Sequence, residues 1–220
     1  FRPGTDQLFV GTGDAAQGTK PQSRTSLGGK VLRIKRDGSA YPGNEAITTG
    51  FDDRIYNHGH RNVQGIAFHP VTNKPYGMEH GPGRDDELNK LKNGRNYGWD
   101  PVPGYNESTP MTDFAKFPKA ITAVWNSGAS TIAPSGITFL DGPQWENWDD
   151  EVAAAVLKNT ELRIFFLKNN GNKLKKEQGL GTIDGGDARL RSAVQGPDGN
   201  LYLVTDGGGS AGQIWRVTPS

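Results

Sequence analysis

Short apolar stretches that follow a turn and end on an acidic residue recur along the chain. Residues 8–14 read LFVGTGD, residues 74–79 read KPYGME and residues 201–206 read LYLVTD. A segment rich in Pro, Gly or Asn precedes each stretch, which is the turn chemistry that joins antiparallel strands. We therefore predict three equivalent strands, each entered from a hairpin.

A second pattern follows the first. Residues 29–34 read GKVLRI, residues 212–217 read GQIWRV, and residues 160–166, TELRIFF, are a looser copy. Apolar and polar positions roughly alternate, as in a strand with one buried face. Only residues 150–157 have some helical character, and their Ala-Ala-Ala run fits a strand equally well.

Two strand types that alternate with turns predict radially repeated sheets. At about 40–50 residues per four-stranded blade, the chain supplies roughly four to five blades of a β-propeller. We predict an all-β fold and a single domain over residues 1–220. A β-sandwich is the alternative, but it does not explain the repeated unit of turn, strand and acidic residue.

Composition narrows the function classes. The 25 basic and 24 acidic residues nearly cancel, so no nucleic-acid partner is expected. The chain has no cysteine, which excludes disulfides, thiolate nucleophiles and Cys-based zinc sites. No apolar run approaches the ~20 residues of a membrane-spanning helix.

The densest polar segment is NHGHRNVQG at residues 57–65. Arg61 can hold a carboxylate through two hydrogen bonds, and Asn62 and Gln64 offer donors and acceptors to a flat polar ligand. A polar turn that satisfies its own backbone is the alternative. His58 and His60 have the spacing of a metal pair, but no third ligand stands nearby in sequence.

Three further segments offer charge or carbonyl groups. The tight turn at Gly81 and Pro82 can turn carbonyl oxygens outward beside the acidic residues 85–87, an arrangement that suits calcium, although a solvated acidic turn explains it too. Arg189 and Arg191 share a strand face, and Lys158 follows an apolar run. An anionic ligand would relieve the repulsion between the two arginines, as would carboxylates such as Asp184 or Asp187.

Taken together, these motifs resemble those of the soluble glucose/sorbosone dehydrogenase family, in order and in spacing. The matching segments are GHRNVQG at 59–65, EHGP at 79–82, DDE at 85–87, NYGW at 96–99, GKVLR at 29–33, APS at 133–135 and RLR at 189–191. The first of these is the most specific, and the likeness covers essentially the whole chain.

The resemblance implies a six-bladed propeller, here incomplete, that binds pyrroloquinoline quinone (PQQ) and calcium. By analogy, Arg61, Asn62, Gln64, Thr131, Lys158, Arg189 and Arg191 contact the quinone cofactor, and the carbonyl groups of Gly81 and Pro82 bind calcium. Asp86 matches the residue that orients the catalytic histidine. The implied reaction passes a hydride from C1 of an aldose to the quinone, from which a separate acceptor takes the electrons.

The family's catalytic histidine is expected just before Phe1, since histidines 58, 60, 69 and 80 fall in other motifs. The chain is therefore expected to be a fragment of a periplasmic or secreted enzyme, present as an oligomer or in a complex with the missing N-terminal segment. A non-catalytic propeller that binds a carbohydrate or protein partner is the second hypothesis. A lactonase propeller is a third, using Asp86, Asn62 and Asp206 as metal ligands.

Overall fold

The computed structural model describes residues 1–158, 160–181, 189–207 and 212–219, and its strands form four antiparallel sheets. Each sheet is a meander in which every strand pairs with the next strand in sequence. The strands are β1 (Leu8–Gly11), β2 (Lys30–Ile34), β3 (Ile55–His58), β4 (Val63–Phe68), β5 (Pro75–Glu79), β6 (Glu87–Lys90), β7 (Trp125–Asn126), β8 (Pro134–Phe139), β9 (Val152–Val156), β10 (Glu161–Lys168), β11 (Lys173–Leu180), β12 (Arg189–Gln195), β13 (Leu201–Asp206) and β14 (Ile214–Val217).

The sheets follow one another like the blades of a propeller. Sheets β4–β7 and β8–β11 have four strands each, and sheets β1–β3 and β12–β14 have three described strands each. The first strands β4, β8 and β12 lie side by side, and β1 also contacts β4. This arrangement confirms the predicted all-β fold, and the number of blades stays a prediction.

Both recurring sequence patterns form strands. The first pattern becomes β1, β5 and β13, and the second becomes β2, β10 and β14. The ambiguous segment around the alanines is strand β9. Two short 3-10 helices, Glu45–Thr49 and Pro143–Trp148, carry no sequence signal that we recognised. Among the described residues, no helix is long and apolar enough to cross a membrane.

Strand β9 shows why the alternation of side chains suits stacked sheets. Val152, Ala154 and Val156 pack toward sheet β4–β7, in a cluster with Tyr76, Met78, Leu88 and Phe139. Ala153 and Ala155 point the other way, toward Leu190, Ala193, Leu201 and Leu203 of sheet β12–β14. All five side chains are fully buried, so the small alanines allow the sheets on both sides to approach closely.

Glycines bring the first strands together. A Cβ atom on Gly65 of β4 would lie 2.7 Å from the carbonyl oxygen of Ser135 in β8, and one on Gly136 would lie 2.9 Å from Cα of Ser192 in β12. Neither position has room for a side chain, so the three backbones run in close contact. The loops at their starts consequently converge.

Candidate active site

The topology collects the predicted site residues at one end of the sheets. Because the strands in each sheet are antiparallel, the start of a first strand and the end of a second strand lie at the same end. Arg61 and Asn62 precede β4, Thr131 precedes β8, and Arg189 opens β12. Residues 80–82 follow β5 and Lys158 follows β9, at that same end.

Arg61 makes hydrogen bonds through both its backbone amide and its guanidinium group. Its amide donates to Oε2 of Glu79 at 2.6 Å, and its Nη1 donates to the carbonyl oxygen of His80 at 2.9 Å. Its Nη2 pairs with Glu107 at 2.9 Å. Its Nε is buried and has no partner among the described residues. The guanidinium therefore retains an unused donor beside an open cleft.

That cleft has a volume of about 440 Å³ and is lined by Arg61, Asn62, Tyr105, Glu107 and residues 13–16. The side-chain amide of Gln64 donates to Oδ1 of Asn62 at 2.8 Å, so the two amides form a pair at the start of β4. Gln64 is exposed and Asn62 is half-buried. Both remain accessible to a polar ligand at this end.

The Gly81–Pro82 turn is held close to Arg61. The amide of His80 donates to the carbonyl oxygen of Asn62 at 2.9 Å. The carbonyl oxygen of Gly81 lies 2.6 Å from Nδ1 of the His80 ring, which therefore donates to it. The predicted calcium-binding carbonyl group of Gly81 is thus already engaged by a neighbouring side chain, while Pro82 is half-buried.

Asp86 joins two loops and is fully buried. Its Oδ1 accepts the amide of Gly81 at 2.8 Å, and its Oδ2 accepts the amide of Ile132 at 2.7 Å. The Thr131 hydroxyl reaches both carboxylate oxygens, at 2.9 and 2.8 Å. Within this chain, Asp86 and Thr131 therefore hold each other, and they fix the turn at residues 81–86 to the start of β8.

The remaining cations line successive sheets. Nζ of Lys158 donates to Oγ of Ser130 at 3.1 Å, next to Thr131. Arg191 contacts Oδ2 of Asp206 at 2.7 Å, and Arg189 lies 3.7 Å from the same atom. Both arginines are about half exposed. Asp206 thus supplies a carboxylate that the sequence hypothesis sought at Asp184 or Asp187, which lie outside the described residues.

The histidine pair does not form a shared site. His60 is fully buried, with Nε2 at 2.9 Å from Oδ1 of Asn57 and Nδ1 at 3.2 Å from Oε1 of Glu79. Its ring stacks on Tyr97. His58 instead packs against Phe51. Both nitrogens of His60 are engaged, so its ring links Glu79 to Asn57.

The acidic residues that end β5 and β13 and that follow β1 have partners that sequence reasoning missed. Glu79 binds the backbone of Arg61, Asp206 pairs with the arginines of β12, and Asp14, just after β1, accepts from Nε1 of Trp99 at 2.8 Å and from Tyr105. Burial raises the pKa of Tyr105 to about 12, so its hydroxyl stays a donor. The repeat of acidic residues was visible in the sequence, but their partners were not.

Two buried carboxyl groups lie beneath the site. Glu79 and Glu87 are cross-strand neighbours, and the Asn89 amide reaches Glu87 at 3.0 Å and Glu79 at 3.4 Å. Burial, reinforced by the charge of Glu79, raises the pKa of Glu87 to about 8. Glu87 is therefore protonated at neutral pH in the folded chain.

Because Glu87 is buried beside Glu79, we predict that the chain loses stability toward alkaline pH. Glu87 has an ordinary pKa of 4.5 when unfolded and about 8 when folded, so the folded state binds more protons between these values. Its contribution to the free energy of unfolding is complete below about pH 4.5 and declines as pH rises through 8, by up to about 1.4 kcal/mol per pH unit. In urea titrations between pH 5 and 8, Glu87→Gln should flatten this decline. Glu177→Gln, the same change at an exposed ion pair, should leave it intact; an unchanged slope in Glu87→Gln would contradict the assignment.

The sequence profile of the family described as Glucose / Sorbosone dehydrogenase matches residues 1–216. The chain belongs to this family. An aldose sugar dehydrogenase of Escherichia coli K12, YliI, is 31% identical over 224 residues, which cover 98% of this chain and 58% of that protein. The quinoprotein glucose dehydrogenase B of Acinetobacter calcoaceticus is 38% identical over 114 residues, which cover 52% of this chain and 22% of that protein.

A solved structure extends the likeness to the fold. The PQQ-bound form of an aldose sugar dehydrogenase from Streptomyces coelicolor superposes with a TM-score of 0.73 at 31% identity, covering 96% of this chain and 57% of that one. The propeller class is thereby confirmed, and the chain spans less than two thirds of the length of these relatives. The count of six blades remains a prediction.

Proposed function

We propose that this chain forms the cofactor-holding part of a PQQ- and calcium-dependent dehydrogenase that oxidises aldose sugars at C1 to lactones. The observation that carries the proposal is the convergence of Arg61, Lys158, Arg189 and Arg191 at one end of the sheets, in a member of the glucose/sorbosone dehydrogenase family. Four cationic side chains at this end favour the binding of an anionic ligand.

The residues present fit PQQ, which carries several carboxylates on a flat ring system. Arg61 has a buried Nε with no partner among the described residues, and its cleft lies at the end of the sheets where the other cations stand. The side chains of Arg189 and Arg191 are about half exposed, so both guanidinium groups are accessible to an anionic ligand. Asn62 and Gln64 add accessible amides beside Arg61.

Calcium is proposed at the carbonyl oxygens of Gly81 and Pro82. The turn is rigid because Asp86 holds the amide of Gly81, so its carbonyl groups are pre-positioned. The His80 ring now donates to the carbonyl oxygen of Gly81, and it would have to turn away for that oxygen to bind a cation.

When bound, PQQ would supply a two-electron acceptor for the hydride that leaves C1 of the sugar. The chain's own cations would bind and orient this acceptor, and Asp86 with Thr131 would hold the loop on which calcium is proposed. His60 is unsuited to serve as the base, because both of its nitrogens are engaged. We propose that a histidine outside these 220 residues takes the proton of the C1 hydroxyl.

The remaining expectations belong to the whole protein. We propose an external electron acceptor, a periplasmic or secreted location, and assembly with further propeller segments or with a second copy. The named relatives are sugar dehydrogenases, which does not favour the alternative of a non-catalytic binding platform.

Cofactor titration tests the proposal. Arg191→Ala should weaken PQQ binding about tenfold or more in the presence of calcium, because it removes a charge-assisted contact. Binding can be followed by quenching of tryptophan fluorescence. Arg216→Ala on exposed β14 is the matched control and should leave the affinity unchanged.

A second assay addresses the reaction itself. The full-length parent protein should reduce a dye with aldoses once PQQ and calcium are added, and Arg191→Ala in that protein should lower the rate at limiting PQQ. Failure of both the chain and the parent to bind PQQ would refute the proposal, as would equal weakening by Arg191→Ala and Arg216→Ala.

A further inference from the structure

A second cleft lies beside the end of β3, and none of its lining residues is assigned above to the cofactor. It has a volume of about 480 Å³ and is lined by Thr49, Phe51, His58 and residues 94–96 and 116–120. This size falls in the range of small-molecule sites, about 300–1,000 Å³.

The walls of this cleft are fixed by backbone hydrogen bonds. Residues 94–97 run alongside β3: the amide of Gly94 donates to the carbonyl oxygen of Tyr56 at 2.7 Å, and the amide of Tyr97 donates to that of His58 at 2.9 Å. The amide of His58 in turn donates to the carbonyl oxygen of Arg95 at 3.2 Å. A pre-formed wall of this kind lowers the conformational cost of binding a ligand.

His58 is a buried polar residue of this cleft. The residue is 8% exposed, and the centroid of its ring lies 4.2 Å from that of Phe51. Its Nδ1 is enclosed by protein and has no hydrogen-bond partner among the described residues. Burial lowers the pKa of His58 to about 3, so the ring is neutral and carries one N–H.

The position of that proton follows from the surroundings. An enclosed N–H without an acceptor costs more than an enclosed lone pair, so Nδ1 carries the lone pair and Nε2 carries the hydrogen. Nε2 has no hydrogen-bond partner among the described residues either, and it is the less enclosed of the two ring nitrogens. His58 thus offers one hydrogen-bond donor to the cleft that it lines.

The rim of the cleft is positively charged and its sides are apolar. Arg95, Lys116 and Lys119 line it, and no acidic residue does. Lys116 is neutralised by Asp100 at 3.1 Å, whereas Arg95 and Lys119 have no ion pair within the described part of the chain. Phe51, Phe117 and Pro118 supply apolar surface.

We propose that this cleft binds an aromatic monocarboxylate. The carboxylate accepts the Nε2 hydrogen of His58 in the positive field of Arg95 and Lys119, and the ring packs against Phe117 and Pro118. A neutral aromatic compound satisfies only the apolar part of this site. The cleft shares no lining residue with the one beside Arg61.

Two probes that differ only in charge test the proposal. 2-Naphthoate should shift the ring-nitrogen resonances of His58 and the ring signals of Phe117 in NMR titrations of the chain, with a Kd of about 1 mM or lower. 2-Naphthalenemethanol, which has the same rings and no charge, should bind about tenfold more weakly or worse.

Substitutions at exposed positions separate this site from a general attraction of anions. Lys119→Glu should weaken 2-naphthoate about fivefold or more and leave 2-naphthalenemethanol unchanged, whereas Lys168→Glu, at the exposed end of β10 in another sheet, should change neither. His58→Phe should remove the preference for the anion while keeping the stack on Phe51. The proposal is overturned if 2-naphthoate at about 10 mM leaves His58 unshifted, or if Lys119→Glu and Lys168→Glu act alike.

Discussion

Asp86→Asn should lower the free energy of unfolding by about 3–5 kcal/mol, measured by urea titration at pH 7. The carboxylate accepts the amides of Gly81 and Ile132 and the hydroxyl of Thr131, all in a fully buried position. An asparagine amide has one oxygen, so its NH₂ group would face a backbone N–H that also donates. Each hydrogen bond to a buried charge contributes about 1.5–3 kcal/mol, and the displaced donor adds a desolvation cost.

Asp85→Asn is the matched control for this change. Asp85 pairs with Arg84 at the surface and has a φ of 54°, which asparagine tolerates. Its effect should stay within about 1 kcal/mol. Thr131→Val removes the shared hydroxyl, so the double variant with Asp86→Asn should lose less than the sum of the two single losses. Additive losses, or equal losses from Asp85→Asn and Asp86→Asn, would show that Asp86 does not join the two loops.

The strands were accessible from sequence because their signals are local. Alternating apolar positions and turn residues identify β1, β5 and β13, and likewise β2, β10 and β14, without any knowledge of what packs against them. Strand β9 was ambiguous for a physical reason. Its alanines bury both faces between two sheets, so the polar side of the usual alternation is missing.

The chemistry of the site was only partly accessible. Motifs singled out Arg61, Asn62 and the Gly81–Pro82 turn, and the antiparallel topology places them at one end of the sheets. What sequence could not show is which group each side chain contacts. Asp86 meets Thr131, which lies 45 residues later, and Asp14 meets Trp99, which lies 85 residues later. Such pairs depend on the sheets being stacked, and no local pattern encodes that distance.

The burial of Lys30 is another feature that the sequence does not reveal. Its sequence context, a glycine before an alternating strand, predicts an ordinary half-exposed lysine, yet the residue is fully buried. Its ammonium group donates to the carbonyl oxygens of Lys20, Pro21 and Gly28, at 2.7, 3.0 and 2.9 Å. Burial lowers the pKa of Lys30 to about 8, so at pH 7 most of the folded chain retains all three donors.

Lys30→Met should therefore lower the free energy of unfolding by about 2–4 kcal/mol at pH 7. Methionine fills most of the volume but cannot donate, so the carbonyl oxygen of Gly28 loses its bond to the ammonium while the other two keep only their backbone donors. The segment from residue 14 to residue 28 should loosen with it, and residues 14–16 line the cleft beside Arg61. Amide hydrogen exchange should consequently accelerate in residues 14–28 more than in β9.

Lys92→Met serves as the control, since the Lys92 side chain is exposed and its change should cost less than about 0.5 kcal/mol. A loss of stability in Lys30→Met that spreads evenly through all sheets, without faster exchange in residues 14–28, would mean that the ammonium merely fills space. A loss concentrated in that segment would establish that one buried lysine shapes the wall of the proposed cofactor site, although it contacts no ligand itself.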